Sequence, residues 1–192
     1  RISISNNDSG TDNTVFGASA GNNLASGGNN NTFFGDLAGH TNSTGDDNTY
    51  IGKSAGQANS GTGDDNTFVG SHSGYQLTGG SNNTGLGAAS LQSITSGTTN
   101  VAVGSRALHS ITTGAGNVAI GQGALDLATT QANYNIAIGQ DAMNGNWTTA
   151  DVDDVIGIGR NAVAGVLTSG ATGAIGIGYN ALTALTSGDG NT

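Results

Sequence analysis

The chain has 192 residues with 35 glycines, no proline, no cysteine and a formal net charge of −9. Its only basic residues, Arg1, Lys53, Arg106 and Arg160, are too few and too scattered for the cationic patch that nucleic acid or an anionic membrane surface requires. Without cysteine there is no disulfide framework or thiolate metal site, and no apolar run approaches the ~18 residues of a membrane-spanning helix.

In chain order, Arg1-Ile2-Ser3-Ile4-Ser5 alternates apolar and polar residues, the pattern of a short half-buried strand. One motif then recurs to the end. Aligned on a glycine, its copies place Gly17, Gly35, Gly52, Gly70, Gly87, Gly104, Gly121, Gly139, Gly159 and Gly178 in one column, 17 to 20 residues apart. A flexible Gly/Ser linker has no reason to keep this register, so the periodicity predicts a repeat architecture.

The early copies, such as Asn31-Thr32-Phe33-Phe34-Gly35 and Asn48-Thr49-Tyr50-Ile51-Gly52, continue with two variable residues, Ala or Ser, and Gly. The spacers between them, Thr44-Gly45-Asp46-Asp47 for example, are rich in turn-forming residues. Near Thr84 the pattern changes. Later copies read Asn100-Val101-Ala102-Val103-Gly104 or Asn117-Val118-Ala119-Ile120-Gly121, followed by x-x-Ala124-Leu125 in the latter. Two looser copies end at Gly159 and Gly178. The chain thus divides into an N-terminal zone, 1–84, and a C-terminal zone, 85–192, of one solenoid. It stops at Asn191-Thr192, where another motif would begin, which reads as a piece of a longer array.

Five strand-forming residues cannot bury a face alone, but stacked units turn each column into a ridge. The prediction is an all-β, parallel β-roll of about ten coils, each with two short strands and two turns. The residue before each column glycine, Phe16 through Ile177, is apolar in every copy and is expected to face the interior. The Ala/Ser column is small, as a narrow coil demands. The glycine ends the strand or admits another backbone. The asparagine column, Asn13 to Asn135, bonds amide to amide up the stack or caps turns locally. The structural columns are represented by Asn117, Val118, Ile120, Gly121, Ala124 and Leu125.

Candidate chemistry is sparse. His40 and His109 stand four coils apart, roughly 19 Å at strand spacing, too far to share a metal ion, and the bland reading of all three histidines is exposed turn residues. Asp46-Asp47 and Asp64-Asp65 repeat one coil apart and admit Ca²⁺ at the Gly-Asp-Asp-Asn turns, though solvated turn acids are the preferred reading; no other cofactor is implied. Asp151, Asp153 and Asp154 form a third acidic group. No nucleophile elbow, HExxH or P-loop occurs, so no enzyme activity is expected. Phe33, Tyr50 and Phe68 share one column and form either a sugar platform or core. Trp147, in the insertion Asn144-Gly145-Asn146-Trp147-Thr148-Thr149, is the one large aromatic outside the columns and the candidate for surface recognition.

The copies Asn-Val-Ala-Val-Gly-x-x-Ala-Leu and Asn-Val-Ala-Ile-Gly-x-x-Ala-Leu resemble the head repeats of trimeric autotransporter adhesins. They are similar also to the Asn-Thr-Ala-Ile-Gly repeats of bacteriophage tail fibres and tailspikes. The resemblance covers residues 100–187 closely and 13–90 more loosely. It implies a left-handed β-roll, three chains about a long axis, a location on a cell surface or virion tail, and attachment to a host glycan or protein. Within such a trimer, the Ala or Gly of strands such as Val101-Ala102-Val103 would let a neighbouring chain approach. Threonines 14, 32, 49, 67 and 84 suggest a solvated face and, as a different function class, ice binding or another flat-surface contact. A purely structural spacer is the third class.

Overall fold

The structure is a computed structural model that describes residues 2–4, 10–24, 27–58, 62–128, 131–147, 152–168 and 171–192. Ten parallel strands of three residues stack in chain order into one sheet: β2 (Thr14–Phe16), β3 (Thr32–Phe34), β4 (Thr49–Ile51), β5 (Thr67–Val69), β6 (Thr84–Leu86), β7 (Val101–Val103), β8 (Val118–Ile120), β9 (Ile136–Ile138), β10 (Ile156–Ile158) and β11 (Ile175–Ile177). A further strand, β1 (Ile2–Ile4), pairs antiparallel with β2. Register joins equivalent residues throughout, as in Thr49↔Thr67 and Ala119↔Ala137. The two sequence zones share this one sheet, since β5, β6 and β7 pair without interruption. The chain is therefore a parallel β-solenoid.

Each described coil holds one strand, not the two that coil length suggests. The remainder is a chain of turns whose amides still pair from coil to coil: Gly56 N–H donates to the Ser73 carbonyl at 2.9 Å and Leu108 N–H to that of Ala124 at 2.9 Å. These turns bend through left-handed residues two and four positions after the column glycine, such as Arg106 (φ 59°) and Leu108 (φ 51°), which ends the extended backbone after three residues. The column glycine serves both roles foreseen for it. At Gly104, φ is 132°, and a methyl group would sit 2.6 Å from the Gly121 carbonyl oxygen of the next coil.

The asparagine column is a continuous internal ladder. The Asn83 Oδ1 accepts both the backbone N–H of Asn100 (3.1 Å) and its Nδ2 (3.0 Å), and the same Nδ2 donates to the Gly114 carbonyl at 2.8 Å. The pattern runs from Asn13 to Asn135 and ends where Val155 N–H donates to Asn135 Oδ1 at 2.9 Å. All of these asparagines are buried.

The strand parity is the reverse of the sequence expectation. The middle residue of each strand points inward: Phe33, Tyr50, Phe68, Ala102, Ala119 and Ala137 are fully buried. The residue before the glycine points outward, so the column from Phe16 to Ile177 is an external ridge and not the core. The small Ala or Gly of the C-terminal zone, read from the sequence as space for a neighbouring chain, instead makes space inside the coil. In the N-terminal zone an aromatic ring fills the interior above a glycine four past the column, and a methyl on Gly56 would meet the Tyr50 ring at 2.5 Å. In the C-terminal zone the bulk moves to that second position. Leu91, Leu108, Leu125 and Met143 are buried there, and a methyl on Gly157 would strike Met143 Cγ at 2.5 Å. A third inward column, seven past the glycine, holds Leu77, Ile94 and Ile111.

Interior volume is thus conserved while its source changes. Ala119→Phe alone should destabilise the solenoid by ~2–3 kcal/mol through overpacking. Ala119→Phe combined with Leu125→Gly, which recreates the Phe68/Gly74 arrangement, should recover at least ~1 kcal/mol of that loss. The coupling is read from urea midpoints of the double-mutant cycle.

Candidate functional site: the outward face of the strand ladder

Since each strand turns its middle residue inward, its first and third residues form two columns on the outer face, roughly 7 Å apart along the strand. Ten strands at about 4.8 Å make this strip roughly 45 Å long. The third-residue column is apolar throughout, with Phe34 53% exposed and Ile51, Leu86 and Ile120 also exposed. The rings of Phe16 and Phe34 stack on it with centroids 4.8 Å apart and planes within 11°, matching the coil spacing. The first-residue column is threonine in β2–β6 and Val or Ile in β7–β11, where both columns are apolar. No charged residue occurs in β2–β11. Single exposed apolar residues are ordinary on a protein surface, but a continuous uncharged apolar strip marks an interaction surface.

The structural columns foreseen from the sequence divide between this face and the interior. Val118 and Ile120 point outward, whereas Asn117, Ala124 and Leu125 are fully buried, and Gly121 turns the chain at φ 136°. The Phe33–Tyr50–Phe68 ladder is core, its rings stacked at 5.1 and 5.3 Å. Trp147 is not a surface group. Only 2% exposed, it donates its Nε1–H to the Gly165 carbonyl at 3.2 Å. It sits eight past Gly139, where a longer coil carries the inward column that Leu77 and Ile94 fill at seven. The insertion around it supplies an interior residue and not a recognition site.

The described aspartate, histidine, lysine and arginine side chains lie outside the strands. Asp46 and Asp64 brace neighbouring coils, their Oδ1 atoms accepting the backbone N–H groups of Asn29 (2.6 Å) and Asp46 (2.8 Å). Asp153 does the same for Asn133 at 2.8 Å, while Asp151 lies outside the described residues. The His40 Nδ1 is 2.9 Å from the Ser19 carbonyl oxygen, and His72 Nδ1 is 2.8 Å from the Ser71 hydroxyl. Among the described residues, no group of three or more His, Asp or Glu side chains gathers in metal-binding geometry. One compact cluster exists: Arg106 Nε donates to Asp126 Oδ2 at 3.0 Å, and His109 Nδ1 lies 3.3 Å from Asp126 Oδ1.

The chain matches no protein-family model, no curated protein and no solved structure. The outward face rests on its own geometry. Sequence reasoning found its residues but assigned the ridge to the inside, because adjacent apolar positions such as Phe33-Phe34 leave strand parity open.

Burial holds the His109 pKa below the usual histidine value, Asp126 opposing the shift and Arg106 adding to it. The unfolded chain therefore binds this proton more readily than the folded one. Stability contributed at His109 should be fully present above pH ~6.5 and fall as the pH drops below that value. Urea midpoints compared between pH 7.5 and 5 should show a smaller decline in His109→Gln than in the native chain.

Proposed function

We propose that this chain is a non-enzymatic, extracellular fibre segment, a rigid rod that assembles as a homotrimer and carries surfaces for attachment to a host cell. The observation that carries the reading is the continuous, uncharged apolar strip along one side of the solenoid. An occupant that covers it evenly must repeat its own ridges at about 4.8 Å over the same length. A second copy of the chain has that pitch, and its net charge of −9 places no repulsive group on this face. Three is the number implied by the likeness to adhesin head and tail-fibre repeats. In a trimer, weak attachment sites are presented in triplicate and gain through effective concentration. The location would be a bacterial cell surface or a virion tail.

Light scattering should give a mass three times 18.7 kDa. Ile120→Asp with Ile138→Asp puts carboxylates on the outward ridge without touching the interior, and should yield a folded monomer with an unchanged far-ultraviolet spectrum. A native chain that is monomeric at tens of micromolar would remove the fibre assembly.

A second reading rests on the five threonines of β2–β6, which stand outward in one column at strand spacing. In that reading the chain is a monomeric flat-surface binder, of ice for example. It requires thermal hysteresis or inhibition of ice recrystallisation, diminished when Thr32 and Thr49 are replaced by Tyr.

A further inference from the structure

The position just before each ladder asparagine is left-handed, with φ 57° at Asp47, 61° at Asn82 and 58° at Asp65. Asn, Asp and Gly tolerate that conformation, and most coils place one of them there. Thr99, at φ 57°, and Tyr134, at φ 56°, depart from this, and Tyr134 is the aromatic one. A bulky aromatic in this conformation is an outlier. Burial does not compensate for it, since Tyr134 is 65% exposed.

The surroundings hold the ring in place. A methyl group on Gly116, the equivalent residue one coil earlier, would lie 2.7 Å from Tyr134 Cδ1 and 2.9 Å from Cε1, so the ring lies against bare backbone there. The turn is braced from both sides. Tyr134 N–H donates to the Ala115 carbonyl at 2.9 Å, Ala115 N–H to Asn133 Oδ1 at 3.0 Å, and Asn133 N–H to Asp153 Oδ1 at 2.8 Å. The result is an aromatic ring that lies against backbone at Gly116, is largely open to solvent and stands on a braced main chain. Strain retained at an exposed, braced residue points to function.

We propose that Tyr134 is a preformed platform for the C–H face of a neutral pyranose ring, which makes it an attachment point of the fibre described above and rests on that reading. The electron-rich ring face attracts the polarised C–H groups of a sugar. Exposed Gln131, three residues earlier, and exposed Asp154, at the equivalent position one coil on, carry groups able to hydrogen-bond hydroxyl groups. The sugar is neutral because Asp153 and Asp154 flank the turn, Lys53 and Arg106 belong to other coils, and Arg160 stacks on Tyr179 at 4.6 Å. An acidic sugar would meet repulsion with no cation of this turn, among the described residues, to offset it.

The test uses the intact chain with ring-labelled tyrosine, whose four residues give resolvable signals. Neutral oligosaccharides of glucose, galactose and N-acetylglucosamine are titrated beside a sialylated trisaccharide. At least one neutral sugar should shift the Tyr134 ring resonance and leave buried Tyr50 unmoved. On a column of that sugar, Tyr134→Asn should lose affinity about tenfold and Tyr134→Phe less than twofold. Tyr134→Asn suits the left-handed backbone, so its thermal midpoint should equal or exceed that of the native chain. A lower midpoint with unchanged sugar retention would make Tyr134 a structural residue and overturn the proposal, as would a response to the sialylated sugar alone or to none of the sugars. The mass in solution, measured on the same samples, keeps failure of the platform distinct from failure of the fibre assembly.

Discussion

The buried asparagine ladder is the constraint on which the other features depend. A side-chain amide enclosed in a narrow apolar coil must satisfy two donors and an acceptor without water. Here it does so only by reaching the equivalent residue of the preceding coil and a carbonyl three residues before the asparagine after it, as Asn100 does with Asn83 Oδ1 and Gly114 O. That geometry fixes coil spacing and register together. A slip of one residue would orphan every amide in the stack, each with a desolvation penalty of about 1–3 kcal/mol. Spacer lengths vary between coils, yet strand register does not, because the ladder and the strand pairings beside it tolerate no offset.

With register fixed, the interior becomes a problem of constant volume. One inward residue per strand, plus inward residues three, four and seven past the glycine, must fill each coil to close packing. The N-terminal zone places the bulk on the strand, as Phe33, Tyr50 and Phe68, and keeps glycine on the turn. Beyond Gly85 the bulk sits on the turn, as Leu91, Leu108 and Leu125, and the strand carries Ala or Gly. The boundary near residue 84 is therefore a change in the supply of core atoms within one sheet. It coincides with a change outside, where threonine in the first outward column gives way to Val and Ile. The C-terminal zone has a more apolar outer face, and the N-terminal zone a more polar one.

The turn edges have a different physics from either face. Their backbone is left-handed at defined positions, some held by Asp or Asn such as Asp47 and Asn82, others by buried residues such as Leu108 and Leu125. Asp46, Asp64 and Asp153 brace neighbouring coils through backbone amides, a structural role for three of the repeated acids. Trp147 and Tyr134 show how far environment outweighs residue type. The tryptophan, in a longer coil, swings inward to fill the column of Leu77 and Ile94, while the tyrosine stands on an unfavourable backbone with most of its surface in water.

From the sequence alone, periodicity determined the parallel solenoid, the glycine and asparagine columns, and the zone change, because stacking makes every structural demand recur at the same interval. Strand parity was decided only in three dimensions. Phe33-Phe34 and Tyr50-Ile51 are apolar on both faces, and a three-residue strand is too short for alternation to say which face is inside. The interior column seven past the glycine was hidden for a related reason: spacer length varies, so Trp147 arrives at eight and reads as an insertion. Tyr134 was visible as a residue but not as a platform, since its left-handed backbone and its seat on Gly116 exist only once neighbouring coils are stacked.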